Sequence, residues 1–216
     1  MKKNLLAALL IGVATLPALQ GCFPAVVAGV GSGVTATIDR RTLGTQTEDE
    51  SIEWKASSRV DDKLRDRGHF NFTSYNRQVL LSGEVASEDI RAEAERIVAA
   101  IPNVRGVFNE LVVGPSSSLT TRSNDAYVTS KVKARFVDAG KFNAVHVKVV
   151  TEAGSVFLMG LVTQVEADAA IQVTRTTSGV RKVVPLMEII TPAKARELDV
   201  AQSNNGTTSN PAPVTP

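Results

Sequence analysis

Apolar residues recur at two periods along this chain, and the two periods alternate in the same order twice. Val128, Val132 and Phe136 return every four residues, which predicts an amphipathic helix opening near Asn124 and Asp125, both favourable caps. Val145, Val147 and Val149 then alternate with other residues, as in a half-buried strand. Ala153-Gly154-Ser155 supplies a turn, and residues 156–162 form its hairpin partner. Thr163 with Glu166 is a capping-box pattern that opens a second helix, running to about Thr177. Ser178-Gly179 stops that helix, and residues 183–190 return as a third strand.

The same order of helix, strand, strand, helix, strand occupies the preceding stretch. Its first helix is expected over about 51–66, Ser87 caps the second, and Pro102 closes it. Val79-Leu80-Leu81-Ser82-Gly83-Glu84-Val85 reappears as Val156-Phe157-Leu158-Met159-Gly160-Leu161-Val162, and Asn103-Val104-Arg105-Gly106-Val107 as Gly179-Val180-Arg181-Lys182-Val183. Upstream, the pattern pairs Val60 and Leu64 with Val132 and Phe136, and Phe70 and Phe72 with Val145 and Val147. A long period seen twice means tandem domains, not a solenoid. Gly83 and Gly160 fall at the same place in both hairpins, where glycine marks a close approach. They are read as structural glycines that make room for a helix crossing the sheet, the alternative being a ligand against bare backbone. The second hairpin is apolar on both faces, with Val156, Leu158 and Val162 on one and Phe157, Met159 and Leu161 on the other. The spare face is expected to dock on the first domain or on a partner.

The chain begins with Lys2 and Lys3, an apolar run from Leu5 to about Leu19, and small residues around Leu19-Gln20-Gly21-Cys22. The run is shorter than a membrane span needs and reads as a removable signal over residues 1–21. The junction resembles a bacterial lipobox, with Cys22, the single cysteine, as the acylated residue. Phe23 carries no inner-membrane retention signal of the aspartate kind, so the outer membrane's periplasmic leaflet is expected. Without Lys2 and Lys3 the 24 basic and 22 acidic side chains fall to 22 of each, which argues against a nucleic-acid binder. Residues 22–47 read as a lipidated cysteine and flexible tether, 48–114 as the first domain, 115–123 as a linker, 124–191 as the second domain and 192–216 as a disordered tail.

In this arrangement the two units resemble BON domains, small bacterial envelope modules. The resemblance rests on Cys22 before a Gly/Val-rich tether, Leu43-Gly44-Thr45-Gln46 before the first unit, Ser123-Asn124-Asp125 opening the second, and Val156-Phe157-Leu158-Met159-Gly160-Leu161-Val162-Thr163. It implies an α+β fold of two tandem αββαβ two-layer sandwiches, each with a three-stranded mixed sheet and two helices. It also implies a non-enzymatic outer-membrane lipoprotein whose second domain binds anionic phospholipid, such as phosphatidylglycerol or cardiolipin, through its first helix. Support of envelope integrity and enrichment at division sites would follow. The rival expectation is a periplasmic adaptor for outer-membrane assembly proteins.

The residues of that helix bear on the expectation independently. One position before the core stripe, Tyr127, Lys131 and Arg135 form a second stripe, with Lys133 and Lys141 on the same element. An amphipathic ring beside cations suits a lipid headgroup region, and each cation contributes about 1 kcal/mol near an anionic surface. Tyr127, Lys131, Lys133 and Arg135 are therefore the candidate phospholipid contacts; the alternative is an ordinary solvated face. The family has tryptophan where this chain has Tyr127, and matches Lys131 and Lys133. The first unit's helix mixes Glu53, Lys55, Arg59, Asp61, Asp62, Lys63, Arg65 and Asp66 around Trp54, with no cationic stripe, so the first domain is expected to brace the second or meet another protein. His69 and His146 lack neighbouring ligands, and Gly29-Val30-Gly31-Ser32-Gly33 lacks the lysine and context of a phosphate loop. No metal, cofactor or catalytic constellation is expected.

Overall fold

The computed structural model describes residues 39–207, with side chains to residue 202. Cys22, the signal segment and most of the tether lie outside the described residues. The first repeat is α1 (Leu43–Leu64), β1 (Gly68–Tyr75), β2 (Gln78–Val85), α2 (Glu88–Ala99) and β3 (Gly106–Val113). The second is α3 (Leu119–Ala139), a 3₁₀ turn (Ala144–His146), β4 (Val147–Glu152), β5 (Ser155–Val162), α4 (Gln164–Arg175), β6 (Lys182–Pro185) and β7 (Glu188–Ile189). Helix α5 (Pro192–Thr207) follows.

Each repeat is a two-layer α+β unit with a mixed sheet. The hairpin pairs are antiparallel, and the third strand joins the second in parallel, giving the orders β1-β2-β3 and β4-β5-β6 with β7 also on β5. The expected third strand over 183–190 is thus broken in two. Pro185 has no N–H to give, and the ladder is carried past the break by Leu186, whose N–H donates to the Leu158 carbonyl (2.8 Å).

Helix periodicity fills each core. Ile52, Ala56 and Val60 of α1 pack with Val79, Leu81, Ile90, Ala94 and Val98, while Val128, Val132 and Phe136 of α3 pack with Val156, Leu158, Ala167 and Ala170. This corrects the repeat register: Val60 is the counterpart of Phe136, not of Val132. One offset then relates Thr42 to Ser118, the two N-caps, and Asp49 to Asp125. Both helices start well before the expected points. Thr42 accepts from the Thr45 N–H (3.1 Å) and Ser118 from the Thr121 N–H (3.1 Å), so the polar stretches read as tether and linker are first turns.

Asn124 and Asp125 are therefore inside α3 and do not cap it. The buried carboxylate of Asp125 accepts from the N–H groups of Ala153 and Gly154 (both 2.9 Å), and Asp49 accepts from those of Asn76 and Arg77 (2.8 and 2.7 Å). Both pairs are the central residues of two-residue hairpin turns with positive φ. One aspartate per repeat thus ties helix to hairpin. Thr163 and Glu166 form the expected capping box, and Ser87 caps α2 as expected.

The glycines do not make room for a helix. A Cβ on Gly83 would lie 2.0 Å from the His69 carbonyl oxygen, and one on Gly160 would lie 2.3 Å from that of His146. The obstacle is the backbone of the neighbouring strand.

The spare face of the second sheet packs on the first domain. Phe157, Met159 and Leu161 share a buried cluster with Tyr75 and Leu80, joined by Phe108, Val184, Leu186 and Ile190. Polar bonds ring this seam: Lys148 to Glu53 (3.0 Å), Asn71 to Glu152 (2.7 Å), and Asn76 and Arg105 to Glu188 (2.9 and 3.2 Å).

The expected disorder from residue 192 is also corrected. Thr191 accepts from the Lys194 N–H, Pro192 suits a first helical turn, and Ala195, Leu198 and Gln202 pack inward. The Asn/Thr/Ser/Pro bias that suggested disorder belongs mainly to the residues after 202.

Candidate functional site

Helix α3 carries the four residues singled out as lipid contacts, and the structure does not hold them together. Tyr127 is 64 % exposed. Lys131 lies beside it, its Nζ 5.1 Å from the ring centroid and 2.5 Å from the Ser178 carbonyl oxygen. These two form one side of the helix's outer face.

Arg135 faces inward from that stripe. Its guanidinium donates to the Val173 carbonyl (3.3 Å), Thr177 Oγ1 (2.9 Å) and Thr176 Oγ1 (3.0 Å), at the last turn of α4. A cation there satisfies unpaired carbonyls and complements the helix dipole. Arg59, its counterpart in the first repeat, donates to the Ala100 carbonyl at the end of α2 (3.3 Å). A bond from this position to the end of the following helix recurs in both repeats, which makes Arg135 a helix-end clamp. Simple 100° spacing placed it with Tyr127; the length of the arginine side chain carries its head to α4.

Lys133 is exposed and lies about 120° around α3 from Tyr127, opposite to the Lys131 side. Between them sit Ala134, at about 20° from Tyr127, and Val137, at about 80°. Val137 is 69 % exposed, and sequence reasoning missed it because it falls outside both the core stripe and the Tyr127 stripe. The outer arc therefore runs Lys133, Ala126, Val137, Ser130, Ala134, Tyr127, Lys131: largely apolar in the middle, with one lysine at each margin. Asp138, exposed at about 20° on the Lys131 side, is the arc's one carboxylate.

The equivalent positions on α1 are Ser57, Glu50, Asp61, Trp54, Ser58, Ser51 and Lys55. That face carries Glu50 and Asp61 where α3 carries Ala126 and Val137, and Trp54 stands within it. Trp54 is 72 % exposed on α1, where its α3 counterpart is Ser130. Lys133 and Val137 also border a cleft of about 350 Å³ with Val145, Lys148, Arg41 and Tyr75. Its other cations are committed: Arg41 pairs with Asp39 and Asp49 and stacks 4.0 Å over Tyr75, while Lys148 pairs with Glu53. Burial drives the Tyr75 hydroxyl pKa upward, with Asp39 adding to it, so the phenol stays protonated.

Among the described residues no helix is long and apolar enough to cross a membrane, and no His/Cys/Asp/Glu group is arranged to hold a metal ion. His69 lies in β1 and His146 is buried in the 3₁₀ turn, in separate domains. Burial and nearby Arg122 lower the His69 pKa, against an opposing pull from Glu84.

The BON-domain signature matches residues 48–115 and 124–191. The chain is 38 % identical over 174 residues to the outer membrane lipoprotein DolP of Haemophilus influenzae, covering 80 % of this chain and 90 % of that protein. It is 31 % identical over 158 residues to the 21 kDa hemolysin of Actinobacillus pleuropneumoniae, covering 72 % of this chain and 81 % of that one. Among solved structures, the C-terminal domain of CdsD, a structural protein of the type III secretion system of Chlamydia trachomatis, aligns at 14 % identity. That alignment has a TM-score of 0.28 over 62 % of this chain and 96 % of that one, a likeness too low to carry an argument. The relationship to DolP supports an outer-membrane lipoprotein, and neither of these two relatives is named as an enzyme. The chain belongs to the BON-domain family, as a tandem two-domain protein of the DolP type.

Proposed function

We propose that this protein is a non-enzymatic lipoprotein, anchored through Cys22 on the periplasmic face of the outer membrane, whose second BON domain reads anionic phospholipid with the outer face of α3. One observation carries the reading: Tyr127 and Val137 are exposed on one arc, bracketed by Lys131 and Lys133, whereas the matching arc of the first repeat sets Trp54 beside Glu50 and Asp61 with a lysine on one margin only. An apolar strip with a lysine on each margin lets the ring and valine enter the headgroup region while both ammonium groups reach phosphate. Two lysines contribute about 1 kcal/mol each, which is weak alone. An acylated Cys22 would raise the local lipid concentration and make weak attraction sufficient to select membrane regions, division sites among them.

The test is sedimentation of the mature chain carrying Cys22→Ser with vesicles of phosphatidylcholine, or of phosphatidylcholine with phosphatidylglycerol or cardiolipin. Binding only to the anionic vesicles, weakened by Lys131→Glu, supports the reading. Equal or absent binding to all three defeats it and moves the protein-adaptor function to first place. The sealed domain seam narrows that alternative, since the spare apolar face of the second sheet already has its partner in the first domain.

A further inference from the structure

Strands β1 and β4 are each the outer strand of a sheet. Both hairpins turn through two residues, so Tyr75–Gln78 and Glu152–Ser155 are closing hydrogen-bonded pairs. Counting back by twos leaves Ser74 and Phe72 on β1, and Thr151 and Val149 on β4, with N–H and C=O turned away from the ladder. Ser74 confirms the count. Its outward N–H donates to Glu53 Oε1 (2.7 Å) and its outward carbonyl accepts from Lys148 Nζ (3.3 Å).

That edge is plugged, as sheet edges ordinarily are. The outward main-chain groups of Phe72, Val149 and Thr151 have no hydrogen-bond partner among the described residues. All three residues line one open groove of about 450 Å³, walled on its third side by Arg122, Ala126 and Thr129 of α3. Two unpaired strand edges thus border the same open space, and their N–H and C=O groups are a template for an added strand.

We propose that this groove receives an extended peptide segment of another protein, which adds its main chain to the free edges of β1 and β4. A lipid tail has no donors or acceptors for those groups. A lipid phosphate would meet Glu152, whose carboxyl is half-buried and hydrogen-bonded to Asn71. The threonines at 73, 129 and 151 leave room for small or β-branched side chains on the incoming strand. Arg122 and Thr129 lie beyond Lys133 on α3, outside the arc, while Ala126 falls at its Lys133 margin, so peptide and lipid occupy adjoining faces of the helix.

The mature chain carrying Cys22→Ser is panned against a displayed library of random octapeptides, and selected peptides are titrated while amide shifts are followed. The expected result is peptides that perturb Phe72, Val149 and Thr151. N-methylation of alternate peptide amides should weaken them at least tenfold. Thr129→Leu, which narrows the groove from the helix side without adding charge, should weaken them as well and leave binding to phosphatidylglycerol vesicles unchanged. Selection of no peptide, selection of peptides that map elsewhere, or indifference to N-methylation would each overturn the proposal. The N-methylation arm stands even if Thr129→Leu does not fold.

Discussion

Arg40 and Asp199 meet at 2.8 Å across 159 residues of sequence. The arginine enters from the last stretch before α1, the aspartate from α5, and both close on the second domain. Arg40 is 3 % exposed, and it also donates to the Leu161 carbonyl (2.8 Å) and to both oxygens of Glu166 (2.8 and 3.0 Å). Burial works against its charge, but the bonds to Asp199 and Glu166 outweigh that and raise its pKa further. Both outer segments are thereby fixed to one small patch at the start of α4.

Removing the cation should be more harmful than removing its exposed partner. Arg40→Ala leaves Glu166 and the Leu161 carbonyl without their donor and should cost about 3 kcal/mol. Asp199→Ala removes a half-exposed carboxylate and should cost about 1 kcal/mol or less. Urea denaturation midpoints of the two variants, at equal slope, check the order.

The same cluster sets an acid limit. Burial alone would raise the Glu166 carboxyl, but the Arg40 bonds and the Thr163 N–H hold it below its usual 4.5. A depressed carboxyl contributes stability that is full above 4.5 and lost as pH falls through the lower folded value. Glu152 runs the other way. Burial raises its carboxyl despite the Asn71 bond, so its contribution is full below 4.5 and lost as pH rises through the folded value. Glu152→Gln should therefore stabilise the chain near neutrality and gain little at pH 4, whereas Glu166→Gln should destabilise it near neutrality. Thermal unfolding across pH 3–8, a range set by ordinary carboxyl values, reads both signs.

Each hairpin turn hangs on one aspartate. Asp125→Ala should leave two turn N–H groups without acceptors, cost about 2 kcal/mol and speed hydrogen exchange at Ala153 and Gly154. Asp49→Ala should do the same at Asn76 and Arg77 and also release Arg41. Gly160→Ala places a carbon against the His146 carbonyl and should be worse than either, on the order of 4 kcal/mol.

The helix and strand order, both hydrophobic stripes and the α4 capping box were legible because periodicity and caps are local signals. The register between repeats slipped by one helical turn because Val60, Leu64, Val132 and Phe136 all fit a four-residue spacing; the aspartates at 49 and 125 carry the true match. Early turns of α1 and α3 were hidden because Thr42 and Ser118 cap polar segments with little apolar content. Helix α5 is held by Leu198, Ala195 and the distant Arg40, none of which a local reading joins. At the candidate face, Tyr127 and Lys131 were found by spacing. Val137 was missed and Arg135 misassigned, since side-chain reach and the position of α4 decide which of them faces outward.

Asp138 gives the lipid reading a gain-of-function arm. It is the carboxylate on the outer arc, so Asp138→Asn should tighten binding to phosphatidylglycerol vesicles by about 1 kcal/mol, roughly fivefold. Arg135→Gln should change vesicle binding little and lower the unfolding midpoint, because its guanidinium serves the end of α4.

Fluorescence on vesicles tests the α3 face most directly, since Trp54 is the chain's single tryptophan and stands exposed on α1. With Trp54→Phe and Tyr127→Trp combined, the account predicts a blue shift on phosphatidylglycerol vesicles, none on phosphatidylcholine, and loss of the shift with Val137→Asp. In the native chain Trp54 should not shift on either. A blue shift of Trp54 in the native chain, or vesicle binding that leaves the reporter at 127 in water, would contradict the assignment of the lipid contact to α3.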